Sequence, residues 1–307
     1  KQKLKVYKTT VSTLAMLSKM VDWSLLHYRK GLIFTAMLLV FVLGILFSTY
    51  MKTGDFVERG IDFKGGTEIV VPITPGIAVD LQKIQATASK AVSGDITLKE
   101  TKGSATMLIF QSDASITKEN IIRVLDSEGV SYDSGGISSQ AVGASLGTAF
   151  WSQAKMAIVA AFLVMAGVVF YVFKNPIPAA AVVAAGLSDF LFAAAMMDVV
   201  GLKLSLATLA ALLITLGYSV DTDILLTTRV LKRHDEQSVD ERIKSSMKTG
   251  MTMTVCAIAA MAVLYFVSTS VVLSEIALVI LFGLVADIPF TWVQNVGILK
   301  LYLEKRK

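Results

Sequence analysis

Four aspartates interrupt stretches of sequence that are otherwise almost entirely apolar. They are Asp189, Asp221, Asp223 and Asp287. A charged side chain at the centre of a lipid bilayer costs about 2.5–3.5 kcal/mol to insert, so carboxylates there are rare and mark ion or proton pathways. Burial also favours the neutral acid over the carboxylate, which lets an aspartate gain and lose a proton during a conformational cycle. The sequence therefore predicts a proton relay with these four residues as candidates.

Asp221 and Asp223 lie two residues apart in one apolar run. At about 100° per residue in a helix, their side chains point about 200° apart, so they cannot form one paired site and must face different neighbours. Asp221 is the first candidate for the relay. Asp223 could instead form an ion pair with Arg229 at the membrane surface, and Asp189 and Asp287 could instead be hydrogen-bond partners between helices.

Sequence patterns typical of an enzyme are missing. The chain has two histidines, His27 and His234, and one cysteine, Cys256, which lies in an apolar run. The sequence has no His/Cys metal-binding set, no nucleotide-binding loop and no nucleophile elbow. We therefore expect no catalytic residues, no bound metal and no cofactor.

Six apolar runs are long enough to hold the four aspartates inside a membrane, since a span needs about 20 residues at 1.5 Å each. The runs are 31–50, 153–173, 178–200, 204–228, 252–268 and 273–299. With 54% hydrophobic and 17% charged residues, the sequence predicts an α-helical membrane protein of six transmembrane helices. The first run has full span length, so we expect a retained anchor and not a cleaved signal peptide.

The positive charges lie on one side of this six-span arrangement. Eighteen Lys and Arg residues fall in residues 1–30, at Lys174, between Arg229 and Lys248, and from Lys300 onward. The positive-inside rule then places both termini in the cytoplasm of a multi-pass protein of the cytoplasmic membrane. Residues 1–30 mix lysines with apolar side chains, which predicts amphipathic helices on the cytoplasmic surface of the membrane.

The chain divides into five parts. We predict a cytoplasmic N-terminal segment at 1–30, a first span at 31–50, an extracytoplasmic domain at 51–145, a membrane core of the other five spans at 153–299 and a cytoplasmic tail at 300–307. The extracytoplasmic domain is the part with the alternating and turn-rich patterns of a soluble fold.

The extracytoplasmic domain has the pattern of a small α+β fold. Alternation over Gly60–Ile73 predicts a strand, and helical spacing follows over Val79–Val92. Two short runs around Gly103 predict a hairpin, a second helix starts after Ile116, and a last strand lies around 130–140. The order β-α-β-β-α-β is typical of a ferredoxin-like domain.

Three short segments of the sequence resemble a known family. Residues 61–68, directly after the first span, read Ile-Asp-Phe-Lys-Gly-Gly-Thr-Glu and are similar to the D-F-x-G-G signature of the SecD/SecF family. The matching residues are Asp62, Phe63, Gly65, Gly66 and Thr67. Residues 140–147 resemble the junction before the family's second span, and Ser188-Asp189 is similar to its His-Asp pair.

Residues 218–223 also resemble the family, with one departure. They fall where bacterial members have Y-S-x-N-D-T. The matching residues are Tyr218, Ser219 and, further along, Arg229. The aspartate of that pattern is Thr222 here, whereas Asp221 matches the V-D-A-N aspartate of SecD. The resemblance thus implies an archaeal-type branch and leaves the proton-carrying residue open between Asp221 and Asp223.

The resemblance implies that the six spans form half of an RND-type transporter core and that SecD supplies the other half. It implies an accessory role in Sec-dependent protein export, coupled to the proton-motive force. The implied partners are SecD, the SecYE-type translocon channel, exported polypeptides and membrane lipids, and not nucleic acid. Two alternatives stay open: half of an RND-type exporter of small molecules or lipids, and a membrane scaffold in which the aspartates only join helices.

Overall fold

The computed structural model describes residues 26–73, 80–92, 96–102, 106–112, 115–232 and 238–305. Within these ranges, six helical segments are long and apolar enough to cross a membrane, as the hydropathy predicts. The amphipathic helices predicted within residues 1–30 fall largely before residue 26, outside the described ranges, and so does the hairpin turn predicted at Gly103.

The first part of the described chain is one long apolar helix followed by a small α+β domain. In chain order its elements are α1 (Tyr28–Thr53), α2 (Ile61–Lys64), β1 (Gly66–Ile73), α3 (Leu81–Val92), β2 (Ile96–Lys102), β3 (Thr106–Ser112), α4 (Lys118–Ser127) and β4 (Ser138–Val142). The second part is helical throughout. Its elements are α5 (Ala144–Phe173), α6 (Pro176–Val200), α7 (Leu206–Lys232), α8 (Val239–Val267), α9 (Val271–Pro289), a π-helical segment (Phe290–Asn295) and α10 (Val296–Glu304).

The α+β domain is an antiparallel sheet with two helices on one face. Its strand order is β2-β3-β1-β4, and every neighbouring pair is antiparallel. Alternate residues of β1 are buried, and they pack with apolar residues of α3 and α4 in one core. The order of strands and helices is the one that the sequence predicts, and assignment to the ferredoxin-like class stays a prediction.

The strand predicted from Gly60 begins later, at Gly66, because residues 61–64 form the helical turn α2. Ile61, Asp62 and Phe63 are all buried. A strand would turn the middle one of three consecutive side chains to the opposite face, whereas a helical turn lets all three contact the body of the protein. Gly65 and Gly66 then take φ values of +84° and +128°, a region that favours glycine.

Three helices form the centre of the membrane bundle. Buried residues make up 56% of the apolar stretch of α6 and 50% of that of α7, against 11% for α5 and 17% for α8. α9 packs against both α7 and α8, and its Gly283 lies directly against Thr215 of α7. A Cβ on Gly283 would lie 1.8 Å from Thr215 Cγ2, so this contact leaves no room for a side chain at position 283.

Two of the helices begin two or more turns before the apolar runs that predict them. α8 starts at Val239 because Ser238 and Glu241 form a reciprocal capping box, although its charged first turns lower the hydropathy there. α5 starts at Ala144 and packs its first turns against α2. A Cβ on Gly147 would lie 2.7 Å from the backbone nitrogen of Gly65, so α5 and α2 touch through their backbones.

Candidate functional site

Three of the four predicted aspartates lie together where α6, α7 and α9 meet. Asp189 of α6 and Asp223 of α7 have no exposed surface, and Asp287 of α9 is 2% exposed. No lysine or arginine is recorded in an ion pair with them among the described residues. Hydroxyl and amide side chains surround them instead, which is how neighbouring helices satisfy polar groups inside a membrane.

Asp223 and Asp287 are joined by the hydroxyl of Thr291. Thr291 Oγ1 lies 2.9 Å from Asp223 Oδ1 and 2.7 Å from Asp287 Oδ1. A hydroxyl has one hydrogen to donate, so Thr291 donates to one of these carboxyl groups, and the other contact becomes a hydrogen bond only when that carboxyl carries a proton. Both contacts can therefore be hydrogen bonds at the same time only when one of the two carboxyl groups carries a proton.

A second hydroxyl, that of Thr222, also contacts Asp287. Thr222 Oγ1 lies 2.7 Å from Asp287 Oδ1 and 2.8 Å from the carbonyl oxygen of Ser219. The carbonyl can only accept, so when Thr222 donates to it, a proton on Asp287 completes the other contact. Thr254 of α8 lies 3.1 Å from Asp287 Oδ2. Side chains of α7 and α8 thus both contact the Asp287 carboxyl group of α9.

Asp189 meets α7 through Ser219, whose hydroxyl donates to Asp189 Oδ2. Ser188, the residue before Asp189, forms a hydrogen bond with Gln294 of the π-helical segment. In the part of the chain that the structure describes, Asp189 Oδ1 and Asp223 Oδ2 are buried without a hydrogen-bond partner. A buried carboxyl oxygen without a donor is costly unless its group is protonated or a small ligand reaches it.

The π-helical segment places two partners of Asp223. Thr291 and Asn295 both bond to Asp223 Oδ1, and the Asn295 contact measures 2.7 Å. Pro289 precedes the segment and has no N–H to continue the helical ladder. Short π-helical turns inside α-helices occur frequently at functional sites, and here the turn carries residues that bridge α9 and α7.

Asp221 lies on the other side of α7. It is exposed, as the 200° offset from Asp223 predicts, and Tyr218 beside it is 44% exposed. Ser219 points inward to Asp189. The structure therefore brings Asp189, Asp223 and Asp287 together and places Asp221 on the outer surface of the bundle.

Arg229 has partners other than Asp223. Its guanidinium donates to the carbonyl oxygen of Ser245 at 3.0 Å and to Thr249 Oγ1 at 3.1 Å, both on α8. Asp223 has Thr291 and Asn295 in place of the ion pair considered from the sequence. Among the described residues, no group of three or more His, Cys, Asp or Glu side chains could hold a metal ion.

The D-F-x-G-G residues lie far from this cluster, at the junction of the α+β domain with the bundle. Phe63 packs against Trp151 of α5, with ring centroids 5.7 Å apart. A Cβ on Gly65 would lie 2.7 Å from Ala144 Cα. Thr67 is buried at the start of β1. Asp62 accepts hydrogen bonds from Gln140 of β4 and from the backbone of Leu206 of α7.

Comparison with known proteins finds similarity over most of the chain. Residues 125–305 match the family model described as protein export membrane protein SecD/SecF, C-terminal. A SecF protein of Pyrococcus furiosus is 36% identical over 279 residues, which cover 91% of this chain and 92% of that protein. The chain belongs to the SecD/SecF family. Another SecF, from Methanocaldococcus jannaschii, is 38% identical over 80% of this chain and 88% of its own length.

The fold of this SecD/SecF member is also that of a solved family structure. SecDF of Thermus thermophilus, described as a translocon-associated membrane protein, superposes with a TM-score of 0.72 at 19% identity. The match covers 92% of this chain and 38% of the SecDF chain. The six apolar spans and the family together make this chain a multi-pass membrane protein.

Thr291 and Thr222, two of the hydroxyl partners of the aspartates, were not singled out as such from the sequence. Thr291 follows Asp287 by four residues, a spacing that puts two side chains on one helical face, and it could have been singled out on that ground. Asn295 follows Thr291 by the same spacing. Thr222 was noted only as a departure from the SecD/SecF pattern, whereas the structure gives it a direct bond to Asp287.

Proposed function

We propose that this chain is an accessory subunit of the Sec protein translocase, which works with a SecD-type partner to promote protein export and is coupled to the proton-motive force. The observation that supports coupling most directly is the buried pair Asp223 and Asp287, whose carboxyl groups both contact the hydroxyl of Thr291. Relatives that cover most of this chain are named protein-export membrane proteins, which supports the role in export and not in catalysis.

Protonation of Asp223 or Asp287 can change the hydrogen bonds that join the helices, which gives proton coupling a physical basis. Moving the proton between Asp223 and Asp287, or releasing it, reverses the direction in which Thr291 donates. It also changes which contacts among α7, α8 and α9 are hydrogen bonds, because Thr222 and Thr254 bind the same Asp287 carboxyl. Protonation therefore favours one arrangement of these helices over another, as a proton-driven cycle requires.

The exposure of Asp221 supports the proposal that another protein supplies the second half of the transporter core. A carboxylate that faces lipid at this depth is costly, so a protein surface that can bind it should cover this side of α7. The family structure SecDF is a longer chain, of which this chain matches 38%. We propose that a SecD-type protein covers Asp221 and Tyr218 and that Asp221 takes part in the relay from that interface. The SecYE-type channel, exported polypeptides and lipids are the further proposed partners.

Replacing Asp221 tests this interface. Asp221→Leu removes the carboxylate from that surface and leaves its polar partner on SecD unpaired, which typically costs about 3–5 kcal/mol when the pair is buried. We expect recovery of SecD with the tagged chain in mild detergent to fall at least about tenfold, while Asp221→Asn keeps the complex and slows export of a secreted reporter.

The matched control for Asp221→Leu is Gln153→Leu, which removes an exposed polar side chain from α5. It should leave the recovery of SecD unchanged. Normal recovery of SecD with Asp221→Leu would mean that SecD does not cover this face.

The orientation of the chain is a proposal that rests on its eighteen clustered Lys and Arg residues. Both termini would then be cytoplasmic and the α+β domain extracytoplasmic. On a Cys256→Ala background, Lys90→Cys in α3 should react with a membrane-impermeant maleimide in intact cells, and Lys305→Cys should react only after the cells are opened. Both positions are exposed. Labelling in the opposite order would reverse the orientation.

A further inference from the structure

The short loop between α6 and α7, residues 201–205, is held by side chains that come from the α+β domain and its entry segment. The side chains of Asp62 and Lys99 form hydrogen bonds with backbone groups at the two ends of the loop. The loop also pairs with the entry segment through its backbone, where Gly60 N–H donates to Leu204 O and Leu204 N–H donates to Glu58 O, each at 2.7 Å.

Asp62 binds the first turn of α7. Its Oδ2 accepts the backbone N–H of Leu206 at 2.9 Å, and its Oδ1 accepts the side-chain amide of Gln140 of β4 at 3.0 Å. The N–H of Thr208, two residues on, is already satisfied by Ser205 Oγ. Asp62 thus completes the cap of α7 from the α+β domain, and its negative charge matches the positive end of the helix dipole.

Lys99 binds the last turn of α6. Its ammonium donates to the carbonyl oxygen of Gly201, which ends α6 in the left-handed conformation with φ +71°. A positive charge at a helix C-terminus is favourable. Burial lowers the pKa of Lys99 and the neighbouring Lys203 lowers it further, whereas the carboxylates of Glu58, Glu275 and Glu68 act in the opposite direction.

Beside these contacts, part of the interface is unfilled. A cavity of about 590 Å³ separates the sheet from the helix ends. Its polar lining includes Asp62, Glu68, Lys99, Lys203 and Glu275. Where a cavity replaces apolar packing, position depends on the few polar contacts that cross it. We call the Asp62–Leu206 and Lys99–Gly201 hydrogen bonds the two-point contact.

The two helices that the two-point contact holds are the ones that carry Asp189 and Asp223. Asp189 on α6 and Ser219 on α7 form the hydrogen bond between these helices at the cluster. A shift of one helix end along its axis moves the whole helix, because a helix transmits displacement as a rigid element.

We propose that Asp62 and Lys99 are positioning residues that join the α+β domain to facing ends of α6 and α7, so that the position of the domain and the alignment of Asp189 with Ser219 change together. This inference rests on the proposed function, because it assigns the domain a part in the proton-coupled cycle. By reciprocity, a change at the aspartate cluster must also move the domain.

The test measures the distance between spin labels at Gln82→Cys in the α+β domain and Thr269→Cys between α8 and α9, on a Cys256→Ala background in the full complex with SecD. Both positions are exposed. We expect Asp223→Asn to shift this distance distribution. In Lys99→Met or Asp62→Asn the distribution should broaden and no longer respond to Asp223→Asn, and export should fall at least fivefold.

Lys99→Arg keeps the charge and the donor and should restore both the response and export. The controls Lys90→Met and Glu119→Gln alter exposed charges of the same domain and should behave like the unsubstituted protein. A normal response to Asp223→Asn in both Lys99→Met and Asp62→Asn would overturn the positioning role while the proposed function stands. Unchanged distances and unchanged export in Asp223→Asn alone would overturn both.

Discussion

Asp223→Asn should abolish proton-coupled export while the chain still folds and binds SecD. The asparagine keeps the oxygen that accepts from Thr291 and Asn295 and places an amide where Asp223 Oδ2 has no partner. The packing is therefore preserved and only the titratable proton is lost. We expect the export rate of a secreted reporter to fall to the rate measured without a proton-motive force, a loss of at least about tenfold, or about 1.4 kcal/mol.

Asp287→Asn should have the same effect, because we propose that the two aspartates share one proton. Its oxygen can still accept from Thr222 or Thr291, and its amide can donate to Thr254. The double variant Asp223→Asn/Asp287→Asn should be no slower than either single variant, since effects within one coupled unit do not add. The control is Asp126→Asn, an exposed aspartate in α4 that keeps its bond to Tyr132.

The results separate the alternatives that the sequence leaves open. Normal export in Asp223→Asn and Asp287→Asn would refute a relay through this pair. Loss of the complex in both variants would favour a scaffold in which the aspartates join helices. A loss of export only in Asp221→Asn, with the complex intact, would place the relay at the SecD interface alone.

Hydropathy predicts the six spans because the bilayer sets a minimum length for any apolar helix. Hydropathy does not show where the helical geometry changes within a span. The last span contains α9, a π-helical turn and α10, and hydropathy joins all three into one apolar segment. Only Pro289 indicates a change of helical geometry in the sequence, and a proline does not specify which geometry follows.

The helical period separates Asp221 from Asp223 correctly, but it does not identify the inward face of α7. That choice depends on the neighbours of α7, and in particular on the contact of Gly283 with Thr215. Single-sequence reasoning cannot pair two helices seventy residues apart. For this reason the sequence singles out Asp221, whereas the structure gathers the other three aspartates.

Alternation predicts β1 well because one face of the sheet is buried and the other is not. It extends the strand too far back, over residues 60–65, because the apolar residues Ile61 and Phe63 continue the period of two. What breaks the strand is the polar Asp62 between them, which is buried as well and binds α7. That contact is 144 residues away along the chain.

The contact between Gly283 and Thr215 should be the least tolerant point of the bundle. In Gly283→Ala the new methyl would lie 1.8 Å from Thr215 Cγ2 and 2.9 Å from Thr215 Cβ and Oγ1. Thr215 is 1% exposed, and a β-branched side chain in a helix has little rotamer freedom. The helices α7 and α9 must therefore separate, and overpacking of this kind typically costs about 1–3 kcal/mol.

Separation of α7 and α9 also lengthens the Thr222–Asp287 bond, which lies about one turn along α9 from Gly283. We therefore expect Gly283→Ala to lower the thermal unfolding midpoint of the purified complex by about 5 °C, at roughly 2–4 °C per kcal/mol for a protein of this size. Export should fall with it. Gly44→Ala in α1 is the matched control, because its methyl meets no atom within 4 Å and alanine favours the helix by about 1 kcal/mol.

The second-site variant Thr215→Ser decides whether the clash is the cause. It removes the Cγ2 atom that the new methyl would meet and keeps the hydroxyl. In the background of Gly283→Ala it should recover most of the lost midpoint and of the lost export, since the helices can return to their original distance. If Gly283→Ala melts like Gly44→Ala, or if Thr215→Ser gives no recovery, the distance between α7 and α9 is not set by this contact, and the Thr222–Asp287 bond must be held by other packing.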